Sequence, residues 1–236
     1  MKEPLLLLPG MMCDARLYTP QINAFSAERP TIFVPLRGAN SMRALAKMVL
    51  DVAPSQFALA GLSMGGIVAM EIMRLAPERV TRLALLDTNP LADPADKAEM
   101  REAQVSQVRN GQMAAVMRDE MKPNYLADGP GKLQLLELCM EMANDLGPTV
   151  FEDQSNAIQN RPDQTETLRG VKIPTLILCG REDSLCPIER HELMHDLIDG
   201  SVLKVIAGAG HLPTLEQPEQ TNKCLRDWLN SGIGCD

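Results

Sequence analysis

Aromatic side chains are scarce in this chain: one tryptophan, two tyrosines and four phenylalanines among 236 residues. A flat stacking pocket for large aromatic substrates is therefore less expected than an aliphatic one. Histidine is scarcer still. Any chemistry that needs an imidazole has three candidates, His191, His195 and His211. Cations are in deficit, 23 against 31 acidic residues, for a formal net charge of −8. That balance argues against a nucleic-acid partner, because phosphate binding needs clustered lysine and arginine. No apolar run approaches membrane-spanning length, and the leucines that follow Lys2 are cut off by Pro9-Gly10, too short for a signal peptide. No membrane partner and a cytoplasmic location are expected. Cys13, Cys139, Cys179, Cys186, Cys224 and Cys235 are scattered and, with no export signal, are read as reduced thiols.

What is present is length and rhythm. The chain is long enough, and at 45% hydrophobic apolar enough, for one domain with a buried sheet core. Strand-like runs at Leu5 to Leu8, Thr31 to Pro35, Gln56 to Ala60, Arg82 to Asp87, Thr175 to Cys179 and Leu203 to Ile206 alternate with helix-like segments. Alternation of this kind predicts an α/β fold, a mostly parallel sheet covered on both faces. Between Pro90 and about Leu168 the strand signal stops. Apolar positions there suggest several helices, with breaks at Gly111, Pro123, Gly129-Pro130 and Gly147-Pro148.

The segment Gly61-Leu62-Ser63-Met64-Gly65-Gly66 spells G-x-S-x-G between a strand-like run and a helix-like one. Nucleophilic serines use that context, because a sharp strand-to-helix turn holds the hydroxyl exposed at the top of a parallel sheet. Gly61 and Gly65 remove side chains where strand and helix approach, and the free amides of the helix start favour a developing oxyanion, with Met64 N–H as one donor. The bland alternative is a structural turn.

A serine needs a base, and a base needs an orienting acid. His211 follows the run Val202 to Ile206 on a loop, Ala207-Gly208-Ala209-Gly210, able to fold over the sheet edge. A loop histidine satisfied by water is the competing reading. His191 and His195 lie four apart on a helical segment, where surface placement is expected; a zinc pair is conceivable, but no third ligand is obvious and no metal is expected. Asp183, in Gly180-Arg181-Glu182-Asp183 after the fifth strand, is the preferred acid, with Glu182 and Asp87 as rivals.

The order and spacing of these three loops resemble the α/β-hydrolase superfamily over nearly the whole chain. The resemblance implies a Ser63, Asp183, His211 triad and a second oxyanion amide at Met11, in the loop Pro9-Gly10-Met11 where many relatives have His-Gly. It also implies that the family's first two strands would precede residue 1, leaving a sheet of about six. Residues 1–90 and 169–236 would then form the core, and 91–168 a helical cap over the active site. Met113, Met117, Met121, Met140 and Met142 could line a pliable pocket, although core packing is the expected role. Arg101, Arg109 or Arg118 could bind a carboxylate substrate, with exposed surface charge as the default. Cys13, near the first loop, invites a thiol nucleophile but is read as packing. The activity implied is hydrolysis of carboxylic esters of small or aliphatic substrates, with no cofactor. Carbon–carbon hydrolysis, thioester hydrolysis and lyase or synthase chemistry on the same fold are alternatives, as is a non-catalytic ligand-binding protein. Oligomeric state is left open.

Overall fold

The structure, a computed structural model, describes residues 2–231, apart from the side chains of Ala95 and Asp96. Cys235 lies outside the described residues. Six strands form one sheet: β1 Leu5–Leu8, β2 Thr31–Phe33, β3 Phe57–Leu62, β4 Val80–Leu86, β5 Thr175–Gly180 and β6 Val202–Ile206. Their order is β2-β1-β3-β4-β5-β6, and every pairing is parallel. Each run expected from the sequence is a strand, with ends shifted by at most two residues.

Strands β1, β3 and β5 are buried along their whole length, as continuous apolar runs must be when helices cover both faces. Side chains alternate between faces with period two. Leu6, Leu8, Leu59, Leu83, Leu85 and Ile177 join one apolar core, whereas Leu5, Leu7, Ala58, Ala60, Leu86 and Leu178 join the other. The helices are α1 Thr19–Phe25, α2 Met42–Val52, α3 Met64–Leu75, α4 Ala95–Arg109, α5 Met113–Ala115, α6 Lys132–Gln159, α7 Thr165–Arg169, α8 Ile188–Leu197, α9 Pro213–Glu216 and α10 Pro218–Asn230. The first core takes in residues of α2, α3 and α8, and the second takes in residues of α1 and α10.

From α4 to α6 the chain is helical and adds no strand. The expected breaks occur for local reasons. Gly111 and Gly147 take φ of 82° and 79°, which side chains rarely adopt, and Gly147 with Pro148 kinks α6. Between α5 and α6 a wide π-helical turn, Val116–Met121, brings Met121 and Tyr125 back towards the sheet. Helix α7 packs against α3 and α8.

One feature of the topology places a site before any side chain is considered. From β1 the chain moves outward to β2, then crosses back so that β3 lies on β1's other side. The carboxyl ends of β1 and β3 flank this reversal, where loops diverge and open a crevice in parallel sheets. Those ends carry Pro9-Gly10-Met11 and Ser63.

Candidate active site

Ser63 sits between β3 and α3 at φ 55° and ψ −116°, a backbone conformation costly for a residue with a side chain. Hydrogen bonds hold it there. Its amide donates to the carbonyl of Leu86 at 2.8 Å, and its carbonyl accepts from the amides of Gly66 and Ile67 and from Thr88 Oγ1 at 2.8 Å. A Cβ at Gly65 would run into the carbonyl groups of Leu8 and Pro9, so glycine is what lets α3 start this close to β1.

His211 reaches this turn from the loop after β6. Its Nε2 lies 2.8 Å from Ser63 Oγ, and its Nδ1 lies 2.8 Å from Asp183 Oδ2. An ionised carboxylate can only accept, so Nδ1 carries the proton and Nε2 is left to accept from the serine hydroxyl. The imidazole and the Asp183 carboxyl are both buried. Burial opposes ionisation of Asp183, but the His211 charge and hydrogen bond, with the amides of Cys186 and Leu185, outweigh it and hold the carboxyl below its ordinary pKa.

The rival residues are occupied elsewhere. Asp87 is fully buried, accepts the Gly180 amide at 2.8 Å and has its pKa pushed well up, first by burial and then by the Asp183 charge. Glu182 accepts the amides of Gly208 and Ala209 and so fastens the histidine loop. Cys13 is buried, and burial pushes its thiol up to about 12, far from a working thiolate.

His191 corrects the surface expectation: it is completely buried. The stretch from His191 to His195 spells H-E-x-x-H, a zinc-binding pattern on other helices. Here His191 Nε2 accepts the Thr88 amide at 3.1 Å, and His195 Nδ1 lies 2.7 Å from Ser201 Oγ. The two imidazoles serve different neighbours. Ligand atoms of Asp183, Cys186 and His211 lie within 4.8 Å of one another. Both His211 nitrogens are committed to Ser63 and Asp183, and burial pushes the Cys186 thiol well up, away from the thiolate a metal would bind.

Met11 and Met64 line the same cavity as Ser63 and His211. Neither amide has a protein acceptor among the described residues. The loop that carries Met11 is fixed by a residue the sequence reading missed. Gln154, buried in α6, accepts the Met12 amide at 2.8 Å and donates to the Leu36 carbonyl at 2.7 Å. Glu216 was missed too: it accepts the amides of Gly210, Leu212 and Ala127 around His211. The His211 amide itself donates to the Tyr125 carbonyl at 2.7 Å.

The cavity above Ser63 has a volume of about 210 Å³. Of the five methionines considered for its wall, only Met121 lines it; Met117 and Met142 are core, and the cavity takes Met11, Met64 and Met100 instead. Arg109 and Arg118 are exposed and paired with Glu152 and Asp119. Arg101 departs from the surface default and lines the cavity, as does Arg161, which sequence reasoning did not single out.

A family model described as the alpha/beta hydrolase family matches residues 5–223. The chain belongs to that family. Among solved structures, a thermophilic esterase from Thermogutta terrifontis is 28% identical and superposes with a TM-score of 0.88, over 96% of this chain and 89% of that one. A pimeloyl-[acyl-carrier protein] methyl ester esterase from Photobacterium profundum is 25% identical, over 81% of this chain and 77% of the relative. A bifunctional biotin biosynthesis protein from Teredinibacter turnerae is 23% identical over 97% of this chain, which spans only 45% of that relative's length. Membership and these esterase-named relatives support a hydrolase.

Proposed function

We propose that this chain is a serine hydrolase of carboxylic esters with small or aliphatic acyl groups. The observation that carries the reading is His211, in hydrogen-bond contact with Ser63 on one side and Asp183 on the other. Ser63 Oγ attacks the ester carbonyl while His211 Nε2 takes its proton. Asp183 fixes the tautomer and stabilises the imidazolium. The amides of Met11 and Met64 receive the oxyanion, worth about 3 kcal/mol per donor in acyl-transfer sites. His211 then protonates the leaving alcohol, and water, deprotonated by the same imidazole, releases the acid. A cavity of about 210 Å³ favours a short chain.

The helices within 91–168 act in this reading as a cap over a core of 1–90 and 169–236, because Met100, Arg101, Met121 and Ile158 face Ser63 across the cavity. The substrate is a small molecule and the location cytoplasmic; no helix among the described residues is long and apolar enough to cross a membrane. Replacing Ser63→Ala is expected to abolish p-nitrophenyl butyrate turnover and fluorophosphonate labelling. Labelling that survives the replacement would end the assignment.

A further inference from the structure

Helix α4 turns one face to the cavity: Lys97, Met100, Arg101 and Gln104 recur at the i, i+3, i+4, i+7 spacing of a helical stripe, and all four line it. Arg101 is held by Asp93, whose side chain is 1% exposed; Arg101 Nε donates to Asp93 Oδ2 at 2.6 Å. Across the same carboxylate, Arg161 Nη2 lies 2.8 Å from Oδ1 as an ion pair without hydrogen-bond alignment, and Arg161 Nε donates to the Leu91 carbonyl. Two guanidinium groups, one on α4 and one on the loop that follows α6, thus share one buried carboxylate. Neither Nη group of Arg101 has a protein acceptor among the described residues.

The charges do not cancel. The charged side chains that line the cavity are Lys97, Arg101 and Arg161 against Asp93 and Glu120, and Glu120 is already hydrogen-bonded by the amides of Gln104 and Gln107. Burial disfavours the charged form of Arg161, Asp93 opposes that, and Arg101 adds repulsion, so the two cations are close enough to feel each other. An anion placed between them relieves that repulsion and meets the planar donor fork that suits a carboxylate.

We propose that Arg101 and Arg161, set by Asp93, form a carboxylate subsite, and that the preferred substrates are short esters bearing a free carboxylate on the acyl chain, such as half-esters of dicarboxylic acids. This rests on the esterase reading of Ser63, whose cavity it shares. Arg101 is the specificity-determining residue, and Asp93 is the positioning residue that aims both cations.

The test compares monomethyl succinate, glutarate and adipate with methyl butyrate, valerate and hexanoate, followed by pH-stat. The wild type should favour the half-ester in kcat/KM at one or more chain lengths. Arg101→Gln should lower that preference by about 10- to 100-fold, chiefly through KM, the size expected for a charged hydrogen bond lost. Arg101→Lys, which keeps a charge beside Asp93, should lose less, and Arg109→Gln, outside the cavity, should keep the wild-type preference. In parallel, calorimetry of adipate binding to the Ser63→Ala protein should show a site weakened at least about tenfold by adding Arg101→Gln. A wild type that prefers neutral esters at every length, or a preference untouched by Arg101→Gln, would overturn the subsite and leave the serine chemistry standing. If no ester is hydrolysed, the esterase reading fails alone when adipate binding still depends on Arg101, and both fail when adipate does not bind.

Discussion

Asp87 Oδ1 accepts the amide of Gly180 at 2.8 Å, so the acid at the end of β4 anchors the turn that carries Asp183 beyond the end of β5. The two carboxyls sit in opposite regimes. Burial, then the Asp183 charge, push Asp87 well above its ordinary pKa, while His211 and two amides hold Asp183 below. Asp87→Asn is isosteric with a neutral acid and keeps an acceptor for Gly180, so kcat should stay within about tenfold of wild type. Asp183→Asn should cost about 10⁴-fold in kcat, the size seen when a triad acid can no longer fix the tautomer. Steady-state turnover of p-nitrophenyl butyrate ranks the two, and the reverse ranking would hand the orienting role to Asp87.

His191 is expected to make stability fall in acid. Burial pushes its pKa down from 6.5 to about 4. A depressed folded-state pKa gives a contribution fully present above pH 6.5 and lost as pH falls towards 4, at most about 3 kcal/mol for a buried imidazole. Asp87, with a raised folded-state pKa, carries the opposite sign: its contribution is present below pH 3.8 and lost as pH rises through its folded value. His191→Gln keeps an acceptor for the Thr88 amide but does not titrate. Urea midpoints at pH 7, 5.5 and 4.5 should fall less steeply for that variant than for the wild type.

Gln154 links the kinked helix α6 to the loop that presents the Met11 amide. Gln154→Ala strands the Met12 amide and the Leu36 carbonyl in the interior, which should cost about 2 kcal/mol of stability. With the Met11 amide as the proposed oxyanion donor, loosening its loop should drop kcat by about tenfold with little change in KM. Chemical denaturation and initial rates read the two effects separately; a rate unchanged at equal destabilisation would confine Gln154 to packing.

Gly65 lies against the carbonyls of Leu8 and Pro9, and both obstacles are backbone. Gly65→Ala should therefore destabilise the protein by about 3 kcal/mol, the upper range of overpacking, since no side chain can rotate away. A melting temperature equal to wild type would show that α3 can retreat from β1.

Much of this architecture could be read along the chain because the cause is local. Strand β1 matches the expected Leu5 to Leu8 run, and the helix breaks fall at Gly111 and Gly147, where backbone freedom is written in the residue type. Asp183 and His211 stood out as candidates because each follows a strand at the same end of a parallel sheet, which limits where their side chains can go. His191 was misplaced because its segment has little contrast between faces; its burial comes from packing against the Thr88 loop, a partner 103 residues away. Gln154 and Arg161 were invisible for the same reason. A glutamine in a long helix, or an arginine just after one, carries no local mark of whether it faces solvent or a buried amide.

Periodicity, glycine placement and the G-x-S-x-G turn were enough to set the class of fold and the candidates for nucleophile, base and acid, since those signals act over a few residues and depend on backbone sterics. Only the folded chain decided which carboxylate meets His211, which loop the Gln154 amide tethers, and that two arginines 60 positions apart share Asp93. Those choices are set by distances and burial between remote segments, and no short stretch of sequence contains them.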